Sequence, residues 1–151
     1  MNSILSDEGA RNLKYRITTL QPDSPAQWGK MNVAQMLAHC QPGLQVAYGA
    51  HQLPKYGFFM RMIGGMIRKA LLKNEDPFKR NQPTDKSFKV EDSRDFEAEK
   101  KKLMDTIDTF SKAGREQKLI PVHPFFGKLS PEEWGKVQWK HLDHHLRQFG
   151  A

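Results

Sequence analysis

Apolar residues recur through most of this chain at intervals of three and four, which is the repeat of an α-helix buried on one face. The first run follows Ser6, a possible N-cap, and stops before Pro22. A second run follows Asn32, and a third covers residues 58–73. No segment shows the alternation of a half-buried strand. The pattern therefore predicts an all-α fold.

The second half of the chain contains two further predicted helices. One extends from Asp95 to Ala113, with Gly114 as its C′ residue. The last begins at Pro131, because Ser130 and Glu133 have the spacing of a capping box and proline is favoured at the first helical position.

Four long helices and one short helix, residues 58–73, indicate a four-helix bundle with one addition. The polar, proline-interrupted residues 74–93 are predicted to form a long crossover. A chain of 151 residues, 38% of them hydrophobic, is long enough for one core. We therefore expect a single domain that covers residues 1–151.

Charge and cysteine content narrow the class of protein. The net charge of +7 favours anionic partners, but the basic residues are interspersed with acidic ones and lack interleaved aromatic residues, which disfavours nucleic-acid binding. The lone Cys40 and the absence of a long apolar run lead us to expect a cytoplasmic protein. A packed short helix is favoured over a membrane contact for residues 58–73. Assembly of the chain into a homo-oligomer is an open alternative.

The last predicted helix carries three histidines. At about 100° per residue, His141 and His145 lie on its inward face, His144 lies at the flank, and Lys140 and Asp143 lie mainly on the opposite side. Histidines four residues apart on a helix can bind one ion together. Hydrogen bonds to backbone carbonyls, Gln138 or Tyr48 are the other way to satisfy two inward imidazoles, and both interpretations remain open.

A third histidine on another helix would favour metal binding, and His39 in the second helix is the candidate. It lies off the centre of that helix's apolar stripe. Pro42 predicts a kink or an early helix end just after His39. Cys40 points away from His39 and is expected to be a small buried residue, and His51 and His123 are expected in surface loops.

Two segments carry a resemblance to a known superfamily. "QWGKMNVAQMLAHC", followed after a long interval by "HPFFGKLSPEEWGKVQWKHLDHHLRQFG", resembles the DinB/YfiT-like superfamily, in a branch described as a domain of unknown function. The resemblance covers most of the chain. It implies a four-helix bundle with three histidine ligands, which match His39, His141 and His145. The ending "HHLRQF" is similar to the superfamily's His-Arg-Gly-Gln-Ile but inserts Leu146, so no role is carried to Arg147.

Three imidazoles suit Zn, Ni, Fe or Co better than Mg or Ca. The resemblance implies a metal-dependent enzyme with a small-molecule substrate, and by analogy a transferase that uses a low-molecular-weight thiol. A zincin-like hydrolase is disfavoured because Leu142 stands where that motif needs Glu. The alternative is a non-catalytic bundle, a binding or stress-associated protein, whose histidines are structural or hold a structural metal.

Overall fold

The chain folds mainly into helices, as its apolar period predicts. A computed structural model describes residues 2–151. Its helices are α1 (Asp7–Thr19), α2 (Val33–Ala47), α3 (Phe58–Lys73), α4 (Phe96–Arg115) and α5 (Pro131–Gln148). A short 3-10 helix, Lys86–Phe88, interrupts the crossover between α3 and α4. Strands β1 (Val122–His123) and β2 (Gly127–Lys128) form a small antiparallel pair before α5.

The predicted helix starts are confirmed by their hydrogen bonds. The Ser6 side chain accepts from the backbone N–H of Gly9, at the start of α1. Capping boxes start both α2, at Asn32, and α5, at Ser130, where the cap and the third helical residue satisfy each other's backbone N–H groups. Local sequence therefore sets where each of these helices begins.

Four helices share one apolar core. Helix α2 packs against α4 and α5, and α1 packs against the same two helices. The core includes Leu37, Phe110 and Trp134, all fully buried. Helix α3 packs instead against α5 and β2, and Gly64 is the one residue it buries. The site described below lies between α2 and α5.

Helix α2 does not end after His39, so of the two expected outcomes, a kink or an early end, the early end is wrong. It continues through Pro42 to Ala47. Twelve of its fifteen residues are buried, which holds the helix in place on nearly every side despite the hydrogen bond that proline removes.

Gly114 is not the C′ residue of α4. That position belongs to Gln117, whose φ of 56° is left-handed. The N–H of Lys118 donates to the Ala113 carbonyl at 2.8 Å, as in a Schellman motif. Gly114 serves close packing instead, since a Cβ there would collide with the side chain of Leu5.

The β1–β2 hairpin was missed because each strand is only two residues long, too short to show an alternating pattern. His123 is buried rather than exposed, and its Nδ1 accepts the backbone N–H groups of Phe125 and Phe126. Burial lowers the pKa of His123 to about 4. His123 is therefore neutral near pH 7, and in this form it accepts the two hydrogen bonds that hold the hairpin. Among the helices of residues 2–151, none is long and apolar enough to cross a membrane.

Candidate metal centre

The structure brings His39, His141 and His145 together. Each offers one ring nitrogen, and these three nitrogens lie within 4.8 Å of one another. The Nε2 atoms of His39 and His141 are 3.3 Å apart. The three imidazoles therefore form a cluster with the size of a metal site.

The two helices supply the cluster in different ways. His141 and His145 lie one turn apart on α5, with ring centroids 4.9 Å apart. His39 lies in the middle of α2, with its ring 4.6 Å from that of His145. Its position beside the apolar stripe did not keep it from the site, because α2 is buried on almost every side and has no solvent face there.

A backbone carbonyl fixes the tautomer of His39. Its Nδ1 lies 2.7 Å from the carbonyl oxygen of Phe88, in the 3-10 helix of the crossover. A carbonyl can only accept, so Nδ1 carries the proton and Nε2 presents its lone pair to the cluster. Metal-bound histidines usually have such a partner on the other ring nitrogen.

A glutamine does the same for His145. The Oε1 of Gln148 lies 2.8 Å from His145 Nδ1, and its Nε2 donates to the Trp28 carbonyl at 2.6 Å. The Trp28 carbonyl fixes the orientation of the amide, so the Gln148 oxygen must face His145 and accept its Nδ1 proton. The lone pair of His145 is therefore on Nε2.

The third imidazole, His141, lacks such a partner on Nδ1. Its Nδ1 lies beside Gly43, where the Oε1 of Gln138 also lies. That Gln138 oxygen is buried and has no hydrogen bond. His141 Nε2 faces the lone pair of His39 and carries the proton in the metal-free protein, so Nδ1 is unprotonated there.

Burial keeps all three rings neutral. It lowers the pKa of His145 to about 3 and that of His141 well below the usual value, with added repulsion from neighbouring histidines. Burial also lowers the pKa of His39, although the Phe88 carbonyl partly opposes this. Neutral imidazole is the form that binds metals, so the site is ready for an ion at neutral pH.

The residues fit a divalent ion. Tetrahedral bonds of about 2.0–2.1 Å from zinc to histidine place ligand nitrogens ~3.3 Å apart. The Nε2 atoms of His39 and His141 are already this far apart. The His145 nitrogen lies within 4.8 Å of both, so a small movement of its ring would bring it to the same spacing. Metal binding at His141 Nε2 would move the proton to Nδ1, on the Gly43 side of the ring, and a shift of the Gln138 side chain would be needed to bring its unpaired oxygen to that proton.

His144 lies beside the cluster and outside it, as its flank position predicts. Its ring contacts Trp28 and Phe78, with centroids 5.5 and 5.8 Å away. It helps to line a cavity of about 390 Å³ whose other walls include Arg80 and Arg147. The Arg80 guanidinium lies over the Trp28 ring at 4.2 Å. A basic, aromatic cavity therefore lies beside His144, and the three clustered histidines are not among its lining residues.

Lys140 and Asp143, predicted mainly on the side of α5 opposite His141 and His145, are both buried. Lys140 Nζ donates to the carbonyls of Leu71 and Asn74, at the end of α3. Asp143 pairs with Arg16 of α1 and with Arg147, both at 2.8 Å. Periodicity missed this because α1 and α3 cover the side of α5 that faces away from α2.

Other reactive side chains do not reach the cluster. Asp105, Asp108 and Glu116 are exposed on or just after α4. Cys40 is fully buried with its Sγ 3.7 Å from the sulfur of Met36, and burial raises its thiol pKa. Leu142 is buried, so no base follows His141.

Gln148 and the Phe88 carbonyl are partners that sequence reasoning did not assign to the histidines. Gln148 follows His145 by three residues, a spacing at which helical side chains meet, so the sequence held a signal for it. Gln138 was considered only as a hydrogen-bond partner in place of a metal. Phe88 lies 49 residues from His39 and acts through its backbone, so no side-chain pattern could have found it.

Comparison with known proteins gives a family and no further relatives. No curated protein and no solved structure matches the chain. Residues 7–151 match a family described as a protein of unknown function, DUF1569. Because the match covers nearly the whole sequence, the chain belongs to the DUF1569 family.

Proposed function

We propose that this protein is a metal-dependent enzyme that holds one divalent ion between His39, His141 and His145. The observation that carries the proposal is the convergence of three neutral imidazoles from two helices within 4.8 Å. Two of them have their outer nitrogens held by the Phe88 carbonyl and by Gln148. Structural histidines need hydrogen-bond partners, but the lone pairs of His39 and His145 do not need to turn toward one shared centre.

The order of the histidines supports a DinB/YfiT-like bundle. One ligand would come from α2 and two from the last helix, four residues apart, as the resemblance implies. The four helices that share the core, α1, α2, α4 and α5, supply the bundle, and α3 is the addition. We propose that DUF1569 is a branch of that superfamily.

The donor set defines the chemistry. Neutral imidazoles suit Zn, Ni, Fe or Co, and such an ion when bound lowers the pKa of a coordinated water or thiol. The protein holds the rings in place: the Phe88 carbonyl orients His39, and Gln148 orients His145. Gln138 would accept the Nδ1 proton of His141.

The cavity beside His144 is where we place the substrate. Arg80 gives it a positive charge, Arg147 shares its charge with Asp143, and Trp28 and Phe78 give it aromatic walls. These groups would bind and orient an anionic small molecule and exclude water from it. With the resemblance, this supports a transferase that uses a low-molecular-weight thiol as co-substrate.

A thiol panel tests the enzyme. The protein loaded with Zn, Ni, Fe or Co is incubated with carboxylate-bearing low-molecular-weight thiols and electrophilic acceptors, and thioether formation is measured. We expect turnover that is lost in His141→Ala and reduced in Arg80→Gln, while His51→Gln, in a loop outside the cluster, leaves it unchanged. Stoichiometric metal binding without turnover for any thiol would contradict the enzyme and leave a structural metal, the non-catalytic alternative.

A further inference from the structure

Helix α3 turns its apolar side away from the protein. Seven of the nine large apolar side chains that are exposed within residues 2–151 belong to it. We call Phe59, Met62, Ile63 and Met66 the outward face; Phe59 is 74% exposed and Met66 67%. At about 100° per residue these four lie within one side of the helix, opposite Gly64. This is the reverse of an ordinary surface helix, which buries its apolar stripe.

Polar contacts hold the helix in this orientation. Gly64 lies against the Phe125 carbonyl so closely that any Cβ would collide with it. Arg68 donates to the Lys128 carbonyl. Lys140 of α5 donates to the carbonyls of Leu71 and Asn74. Gly64, Arg68 and the carbonyls at the end of α3 therefore face the rest of the protein. The apolar side chains of the outward face point away from it, where residues 2–151 leave them exposed.

The charge around the outward face has one sign. The sequence has no Asp or Glu from Ser24 to Asn74. Lys69 and Lys73 lie on the flank of the outward face, and both are exposed, as is Arg61. The first acidic residues after the helix are Glu75 and Asp76. Their charges interact electrostatically with the Lys140 ammonium. An apolar strip bordered by cations is the pattern of a helix that lies in an anionic membrane interface.

A second copy of the chain suits this surface less well. A two-fold dimer brings the same patch of both copies together. Lys69 and Lys73 would then face their counterparts, and α3 contains no carboxylate to pair with them. Anionic lipid headgroups supply the missing negative charge without that repulsion.

We propose that α3 docks the protein peripherally on membranes that contain anionic lipids. The outward face enters the boundary between headgroups and acyl chains, and Lys69 and Lys73 bind lipid phosphates. The helix lies in the plane of the interface and does not span it, consistent with its length and charge.

Vesicle sedimentation tests the proposal. Wild type is mixed with vesicles of phosphatidylcholine alone or of an equimolar mixture with phosphatidylglycerol, at low and high salt. We expect binding to the mixed vesicles, release by salt, and little binding to phosphatidylcholine. Phe59→Ser with Met66→Ser should weaken binding at least about tenfold through lost apolar insertion. Lys69→Gln with Lys73→Gln should weaken it about tenfold or more through lost lipid attraction.

Matched controls are available on other helices. Tyr15 on α1 is 70% exposed and Lys112 on α4 is exposed, so Tyr15→Ser and Lys112→Gln should bind like wild type. All altered side chains are exposed, and circular dichroism checks that each variant folds. Equal binding to both vesicle types, or unchanged binding of the Phe59/Met66 variant, would overturn the proposal. So would a dimer in light scattering that dissociates in that variant without any lipid binding.

Discussion

Gln138→Leu should change the stability of the protein in opposite directions without and with metal. In the metal-free protein the Gln138 Oε1 is buried and has no hydrogen bond. An unsatisfied buried acceptor costs about 1–3 kcal/mol. Leucine has a similar size and no acceptor, so we expect the free energy of unfolding of the metal-free protein to rise by about 1 kcal/mol.

With metal bound, the same oxygen would gain a partner. An ion held by His141 Nε2 would leave the proton on Nδ1, which faces Gly43 as Gln138 Oε1 does, and a small shift of the Gln138 side chain would form the hydrogen bond. Loss of a hydrogen-bond partner of a metal ligand typically weakens metal binding 10–100-fold, or roughly 1.4–2.7 kcal/mol. Gln138→Leu should therefore raise the dissociation constant for zinc by about that factor.

Urea unfolding in chelator and calorimetric zinc titration measure the two effects. Gln148→Leu is the matched control, because Gln148 already bonds to His145 and Trp28 in the metal-free protein. That variant should lose stability and metal affinity together. If Gln138→Leu also destabilises the metal-free protein and leaves zinc affinity unchanged, the role given to the Gln138 oxygen is wrong.

Three further substitutions test other parts of the structure. Gly43→Ala would place a Cβ 3.4 Å from His141 Nδ1 and 3.0 Å from the unpaired glutamine oxygen, so zinc affinity measured by chelator competition should fall about tenfold; unchanged affinity would contradict the packing described here. The pKa of His123 is about 4 in the folded protein and about 6.5 in the unfolded chain, so the unfolded state binds the proton first as the pH falls. The free energy of unfolding should therefore fall between pH 6.5 and pH 4, by about 3 kcal/mol in total. His123→Gln should remove that part of the slope in urea unfolding at several pH values, and an unchanged slope would refute it. Asp143→Ala breaks two pairs at a buried carboxylate and should lower the free energy of unfolding by about 3 kcal/mol, whereas a loss below about 1 kcal/mol would show that solvent screens these pairs.

Local sequence predicted the helices well because capping is a local interaction. Ser6, Asn32 and Ser130 each bond to a backbone N–H three residues away, so the pattern and the contact lie in the same short segment. The end of α4 was misplaced because Gly114 meets Leu5, a contact across the chain.

The candidate site was predictable in its residue types and much less so in its supports. Helical spacing paired His141 with His145, His39 was the candidate third ligand on another helix, and the resemblance matched all three. The partners of these rings depend on the crossover and on packing between α2 and α5, which leave no periodic signal. Likewise, the apolar stripe of residues 58–73 could be recognised from the sequence, but a period does not say on which side of the helix the protein lies.

Titration of metal-free protein with Co²⁺, followed by visible absorption, tests the central claim most directly. His39 lies on a different helix from the other two histidines, so it reports whether the three act together. We predict that binding saturates at one ion per chain and gives the strong visible absorption of a four-coordinate site. This absorption should be lost in His39→Ala and kept in His51→Ala. Absence of saturable binding in wild type, or the same spectrum and affinity in His39→Ala, would contradict the account.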